Sequence, residues 1–237
     1  MKLQLDQFKV LTFDVVGTLI DFEQGILESV RRLGGSAAEG LSDDDIFGPY
    51  LRGRDKHAGR SSQAMRDVYL SLAAELNLPT DQDTADAFQM DVLHWPAFED
   101  SVQALQRLRK YCRLVAMTNA DRVAYTSYAH TLGNLFDDGV TCDETNVAKP
   151  DPQFFAYNLG RQEAFGHKQS EILHVAQSQY HDIGVARNLG YQVCWIERRH
   201  DVDGFGGTPE PAAMTEPDFH FTSLQALADA MEAAHRS

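Results

Sequence analysis

Five short apolar runs, each ending in polar residues and separated by stretches of helical pattern, are the feature that most restricts how this chain can fold. PheLysValLeuThrPheAsp at 8–14 runs into GlyThrLeu, and ArgLeuValAlaMet at 113–117 runs into ThrAsnAlaAsp. IleLeuHisValAla at 172–176 leads into GlnSerGlnTyrHisAsp, and GlnValCysTrpIle at 192–196 and PheHisPhe at 219–221 follow. Nearly continuous apolar strands are what a parallel sheet buried on both faces requires, and the intervening helices supply its covers. The reading is an α/β core.

Between Phe22 and about Pro96 the strand pattern disappears. LeuSerAspAspAsp at 41–45 offers a helix N-cap with an acidic first turn. ValTyrLeuSerLeuAlaAlaGluLeu at 68–76 has helix period and stops at AsnLeuPro, and TrpProAlaPheGluAsp at 95–100 marks the turn back to the core. The expected organisation is a core of residues 1–21 and 96–237, split by a helical subdomain over 22–95. Residues 201–217, rich in Gly and Pro, read as a loop, and the chain from Ser223 reads as an amphipathic closing helix.

Charge narrows the function. With 21 Lys and Arg against 35 Asp and Glu, the net charge of −14 repels a nucleic-acid backbone and an anionic membrane surface alike. Any site for a small anion must then be a local cluster of cations and backbone N–H groups working against the global field. No apolar stretch approaches the roughly 20 residues that span a bilayer, and Asp6 falls where a signal peptide carries its apolar run, so a cytoplasmic protein is expected. Cys112, Cys142 and Cys194 are too few and too dispersed for a disulfide framework and have no zinc-ligand spacing.

Open parallel sheets bind ligands at the carboxyl ends of their strands. Those ends here carry Asp14, Thr18, Thr118, Asn119, Gln177 and Asp182, and Lys149 lies in a loop between the second and third strong strands, where it can enter the same crevice as a fixed cation. Singly, an Asp after a strand is more often a turn or a cap than a nucleophile. Together, and in this order, PheAspXxxXxxGlyThrLeu, a strand with ThrAsn, LysProAspPro, and a strand followed by Asp before an Ala-containing helix form a specific combination.

On these motifs the chain resembles the haloacid dehalogenase superfamily over nearly its whole length. The resemblance implies a doubly wound, Rossmann-like core with a four-helix cap inserted after the first motif. It makes Asp14 the nucleophile, Thr118 and Asn119 the second motif, Lys149 the third and Asp182 the last acid of the fourth.

Two departures separate this chain from the magnesium-dependent phosphatases of that superfamily. The acid that they carry two places after the nucleophile is Val16 here, and the metal-binding Asp of their fourth motif is Gln177. A neutral amide is a poor Mg²⁺ ligand beside water. The chain thus resembles the type II 2-haloacid dehalogenase branch, which implies attack of Asp14 on carbon and no cofactor or metal. In that scheme Asp182 activates water and Lys149 stabilises developing charge, while Thr18 and Gln179 orient Asp14 and the water. The backbone of Val15 and Val16, with Thr118 and Asn119, binds the substrate carboxylate. The halide goes to a cap arginine, Arg52 as the nearer match or Arg54 as the alternative.

The expected partner is a small anionic 2-haloacid, with a homodimer as an admissible assembly. Two other readings stay open: a Mg²⁺ phosphatase with Asp121 or Asp151 replacing the lost acid, and a catalytically idle protein on this fold. A phosphonatase-like Schiff base at Lys56 is a third, and His181, beside Asp182, reads as a packing residue or a support for the site residues and not as a base.

Overall fold

A computed structural model describes residues 3–57 and 59–236. Its centre is a six-stranded parallel sheet of β1 (Val10–Phe13), β2 (Arg113–Thr118), β3 (Asp138–Thr141), β4 (Ile172–Ala176), β5 (Gln192–Ile196) and β6 (Phe219–Phe221), in the order β3-β2-β1-β4-β5-β6. The order reverses at β1 and β4, which places the crevice of a doubly wound sheet at the carboxyl end of β1.

Alternate strand residues feed two apolar layers. Leu11, Phe13, Leu114, Ala116, Leu173 and Val175 face one side, which also holds buried residues of α5 (Ser101–Leu108), α6 (Arg122–Thr131) and α10 (Leu224–Ala234). Val10, Val115, Met117, Ile172 and Val193 face the other, with Phe154 and Phe155 of α8 (Pro152–Ala164) and Ala186 of α9 (Gly184–Asn188). Each β1 residue is buried, as both-face coverage demands.

Four helices lie between β1 and α5: α1 (Phe22–Gly34), α2 (Asp43–Lys56), α3 (Ser61–Leu76) and α4 (Gln82–Asp91). Ser42 and Asp45 close a capping box at the start of α2, as the acidic run indicates. Asn77 ends α3 in the left-handed conformation at φ 56°. The chain leaves and re-enters the core side by side, with Asp21 N–H donating to Pro96 O at 2.7 Å and Ile20 bridging Ala97.

One strand escapes the sequence reading. β3 carries a single large apolar residue, Val140, and sits at the sheet edge, so it lacks the run that marks the buried strands. A Cβ on its Gly139 would stand 2.5 Å from the Tyr125 hydroxyl, so only glycine allows α6 to pack this closely.

Candidate active site

Asp14 is the first residue beyond β1, and its N–H still donates to Val175 O on β4 at 3.0 Å. The turn that follows is closed by Leu19 and Ile20 N–H on Val15 O, at 2.8 and 2.9 Å. Gly17 supplies the φ of +96° that this turn needs, a conformation L side chains rarely adopt. The turn brings the Thr18 hydroxyl back to Asp14 Oδ2 at 2.7 Å, while Thr18 Oγ1 accepts from Gln177 N–H at 2.8 Å. Arg198, stacked on Phe98, donates to Thr18 O through Nε at 3.0 Å and Nη2 at 2.8 Å, fixing the turn from its far side.

Lys149 meets Asp14 from the loop that follows β3 and the short helix α7 (Cys142–Thr145). Its ammonium spends all three protons, on Asp14 Oδ1 at 2.8 Å, Asp182 Oδ1 at 2.6 Å and Met117 O at 2.9 Å. Asn119 holds the lysine in place: its Nδ2 donates to Lys149 O at 2.8 Å and its Oδ1 accepts Lys149 N–H at 2.7 Å. That clasp is a task the sequence did not reveal for Asn119. Asp182 lies in a π-helical turn, Gln179–Ile183, that runs straight into α9, and it also accepts from His174 Nε2 at 3.0 Å. Its second oxygen, Oδ2, is buried with no hydrogen-bond partner among the described residues.

The electrostatics follow from one buried cation between two buried acids. Burial raises the Asp14 carboxyl above its usual range, with Lys149 pulling it down and the Asp182 charge pushing it up. Burial acts on Asp182 the same way, but Lys149 and His174 outweigh it and hold that carboxyl at about 2. Burial also opposes the Lys149 charge, but Asp14 and Asp182 together keep the ammonium above its usual value. His181 is driven down to about 4 by burial and is neutral at physiological pH.

Asp14, Lys149, Thr118, Asn119, Gln177 and Asp182 share one cavity of about 650 Å³. Val16 also lines it, whereas Val15 is packed into the core. Part of the lining was not legible in the sequence: Phe22, Tyr50, Met65, Trp95 and Tyr128 also line the cavity, as does Arg60, which is ion-paired to Asp143 at 2.7 Å.

Other expected site residues lie elsewhere. Gln179 is outside the cavity lining, because its amide is taken up by Thr215, accepting from Thr215 N–H at 3.0 Å and donating to Thr215 O at 3.3 Å. Arg52 points to an outer groove between α2 and α3, paired with Glu75, and Lys56 lines that same groove. Arg54 faces the cavity, where its Nη1 touches Met65 Sδ at 3.6 Å. Two residues along a helix is a turn of about 200°, so the two arginines cannot share a face. Asp121 and Asp151 are spent as helix caps. Asp121 accepts from Ala124 N–H at 3.0 Å and from Ser62 N–H at 2.6 Å, tying α6 to α3, and Asp151 accepts from Gln153 N–H at 2.8 Å. Among the described residues no group of three or more His, Cys, Asp or Glu converges as a metal site, and no helix is long and apolar enough to cross a membrane.

Comparison with known proteins agrees with this geometry. Haloacetate dehalogenase H-2 of Moraxella sp. (strain B) is 26% identical over 214 residues, covering 87% of this chain and 93% of that protein. (S)-2-haloacid dehalogenase 2 of Pseudomonas sp. (strain CBS-3) is 28% identical over 152 residues, covering 62% and 65% of the two chains. The L-2-haloacid dehalogenase structure from Xanthobacter autotrophicus superposes with a TM-score of 0.74 at 20% identity, over 95% of this chain and 98% of that one. Residues 8–190, which span Asp14, the helical insert, Lys149 and Asp182, match the haloacid dehalogenase-like hydrolase family, and the chain therefore belongs to that family of hydrolases.

Proposed function

We propose that this protein is a metal-independent hydrolytic dehalogenase of small 2-haloacids that works through an ester on Asp14. The observation that carries the reading is Lys149 Nζ seated between Asp14 and Asp182, with Val16 and Gln177 standing where a phosphatase of this superfamily has acids. A cation fixed by the chain occupies the space between the two carboxylates. Asp121 and Asp151, the acids that would replace the missing ligand, are committed to helix caps. The relatives named above are dehalogenases of haloacetate and (S)-2-haloacids, which supports the same substrate class here.

In the first half-reaction a carboxylate oxygen of Asp14 attacks C2 of the haloacid, and the halide departs with the bonding pair and inversion at C2. Arg54, on the cavity wall, receives the halide, and Thr118, Asn119 and backbone N–H groups following Asp14 hold the substrate carboxylate. In the second, Asp182 takes a proton from water, whose oxygen adds to the Asp14 carbonyl carbon. Lys149 stabilises the oxyanion, and as the bond from that carbon to the ester oxygen breaks, the proton held by Asp182 passes to the departing oxygen, so the 2-hydroxyacid leaves with an oxygen that began on Asp14 and the Asp182 carboxylate is restored.

Halide release from a panel of 2-haloacids, with and without EDTA, tests the proposal. Equal release in both conditions supports it. Turnover of phosphate esters that requires Mg²⁺, with no halide release, overturns it.

A further inference from the structure

We infer that His174 is a positioning residue for ester hydrolysis: its Nε2–H pins one oxygen of Asp182 and leaves the other, Oδ2, free to bind and deprotonate the attacking water. The inference rests on the covalent reading above and adds to it a residue that never meets the substrate.

His174 sits in the middle of β4, fully buried, where the strand pattern calls for an apolar side chain. Its register partner on β1 is Thr12, and the two side chains meet, Thr12 Oγ1 lying 2.9 Å from His174 Nδ1. The Phe155 ring covers the imidazole edge-on at 5.3 Å. A carboxylate oxygen only accepts, so the 3.0 Å contact to Asp182 Oδ1 puts a proton on Nε2, while Nδ1 is hydrogen-bonded to the Thr12 hydroxyl. β1 and β4 are already joined by backbone pairing, so this side-chain pair adds nothing to the register of the sheet.

Its effect falls on Asp182. Oδ1 receives two donors, Lys149 Nζ at 2.6 Å and His174 Nε2 at 3.0 Å, from different directions, and that fixes the rotation of the carboxylate. Among the described residues Oδ2 receives none, and it is buried. A buried carboxylate oxygen without a donor is costly, and a water donating to it is the species that the second half-reaction consumes. With only Lys149 attached, the carboxylate is free to turn and present either oxygen to the ammonium.

The test separates the two half-reactions in rapid-quench single turnovers with 2-chloropropionate, following chloride release and the mass of the intact protein. The variant is Thr12→Val with His174→Leu, which removes both partners and leaves no orphaned hydroxyl. Chloride release should stay within about twofold of wild type, while ester hydrolysis slows by about tenfold or more, so that protein carrying the ester accumulates. His174→Gln, which keeps an N–H directed at Asp182, should restore most of the hydrolysis rate. Should the apolar pair fail to fold, His174→Asn, whose shorter amide reaches Thr12 but not Asp182, takes its place with the same expectation. Parallel slowing of both steps, or an unchanged hydrolysis rate, overturns the assignment of His174. No chloride release from wild type would instead remove the covalent reading, and the inference with it.

Discussion

Lys149 Nζ lies 2.8 Å from Asp14 Oδ1, with the two side chains 1% and 8% exposed, so the ion pair is largely withdrawn from water before any substrate arrives. Removing one partner of a buried pair leaves an uncompensated charge, and Lys149 here compensates two acids. Lys149→Met should therefore destabilise the protein by about 3–5 kcal/mol. It should also slow turnover by roughly 10²–10³-fold, as loss of a charge-stabilising donor does. Adding Asp14→Asn should recover part of the lost stability and none of the activity. Urea unfolding of both variants measures this, and an unchanged midpoint for Lys149→Met contradicts it.

Asn119 grips the same lysine through both ends of its amide. Asn119→Ala should lower kcat by about tenfold or more, because a small displacement of the charge-stabilising group weakens it most in the transition state. Steady-state kinetics decide the matter: a rise in KM alone would make Asn119 a substrate-binding residue and nothing more.

The cap arginines separate cleanly. Arg54→Ala should slow the carbon–halide step, because Arg54 lines the cavity. Arg52→Ala should leave both steps unchanged and alter stability by no more than about 1 kcal/mol, the most an exposed ion pair usually contributes. Chloride release in single turnovers distinguishes the two, and the reverse pattern would refute the assignment of Arg54.

His181 and Asp182 act on the pH response with one sign, and Asp14 opposes them. His181 has a folded-state pKa of about 4 against 6.5 unperturbed, so the unfolded chain binds more protons and stability falls as pH drops from 6.5 through about 4. Asp182, at about 2 against 3.8, contributes stability that is present above 3.8 and lost as pH drops from 3.8 through about 2. Asp14, raised by burial, works in the opposite direction, favouring the folded state as it protonates above 3.8. His181→Gln should therefore remove the loss of stability that sets in near pH 6.5 and leave that below 3.8 in place. Thermal melts across this range check it. Because the ring stays neutral, the same variant should not change the shape of the rate profile between about pH 6 and 8.

The places where the sequence was legible share a physical cause. Buried strands announce themselves as apolar runs, and 172–176, 192–196 and 219–221 coincide with β4, β5 and β6 at both ends. The residues that close the strands, Asp14, Thr118 and Gln177, lie in one cavity because strand ends of a parallel sheet converge. Side-chain direction was not legible. Arg52 and Arg54 differ only in helical phase, and Gln179, the first residue of a π-helical turn, is hydrogen-bonded to Thr215, far from it in sequence. The aromatic wall of Phe22, Tyr50, Trp95 and Tyr128 joins positions up to 106 residues apart, and nothing local marks them as neighbours. His174 reads as one more strand residue until Thr12 and Asp182 are seen on either side of it.

The central claim, a covalent ester on Asp14, is tested most directly by a single turnover of 2-chloropropionate in H₂¹⁸O with enzyme in excess, followed by mass analysis of the Asp14 peptide and of the lactate. Water that attacks the Asp14 carbonyl leaves its oxygen on the enzyme, so the account predicts ¹⁸O in the Asp14 carboxylate and unlabelled lactate. Labelled lactate with an unlabelled Asp14 would mean that water attacks the substrate carbon directly, and would contradict it.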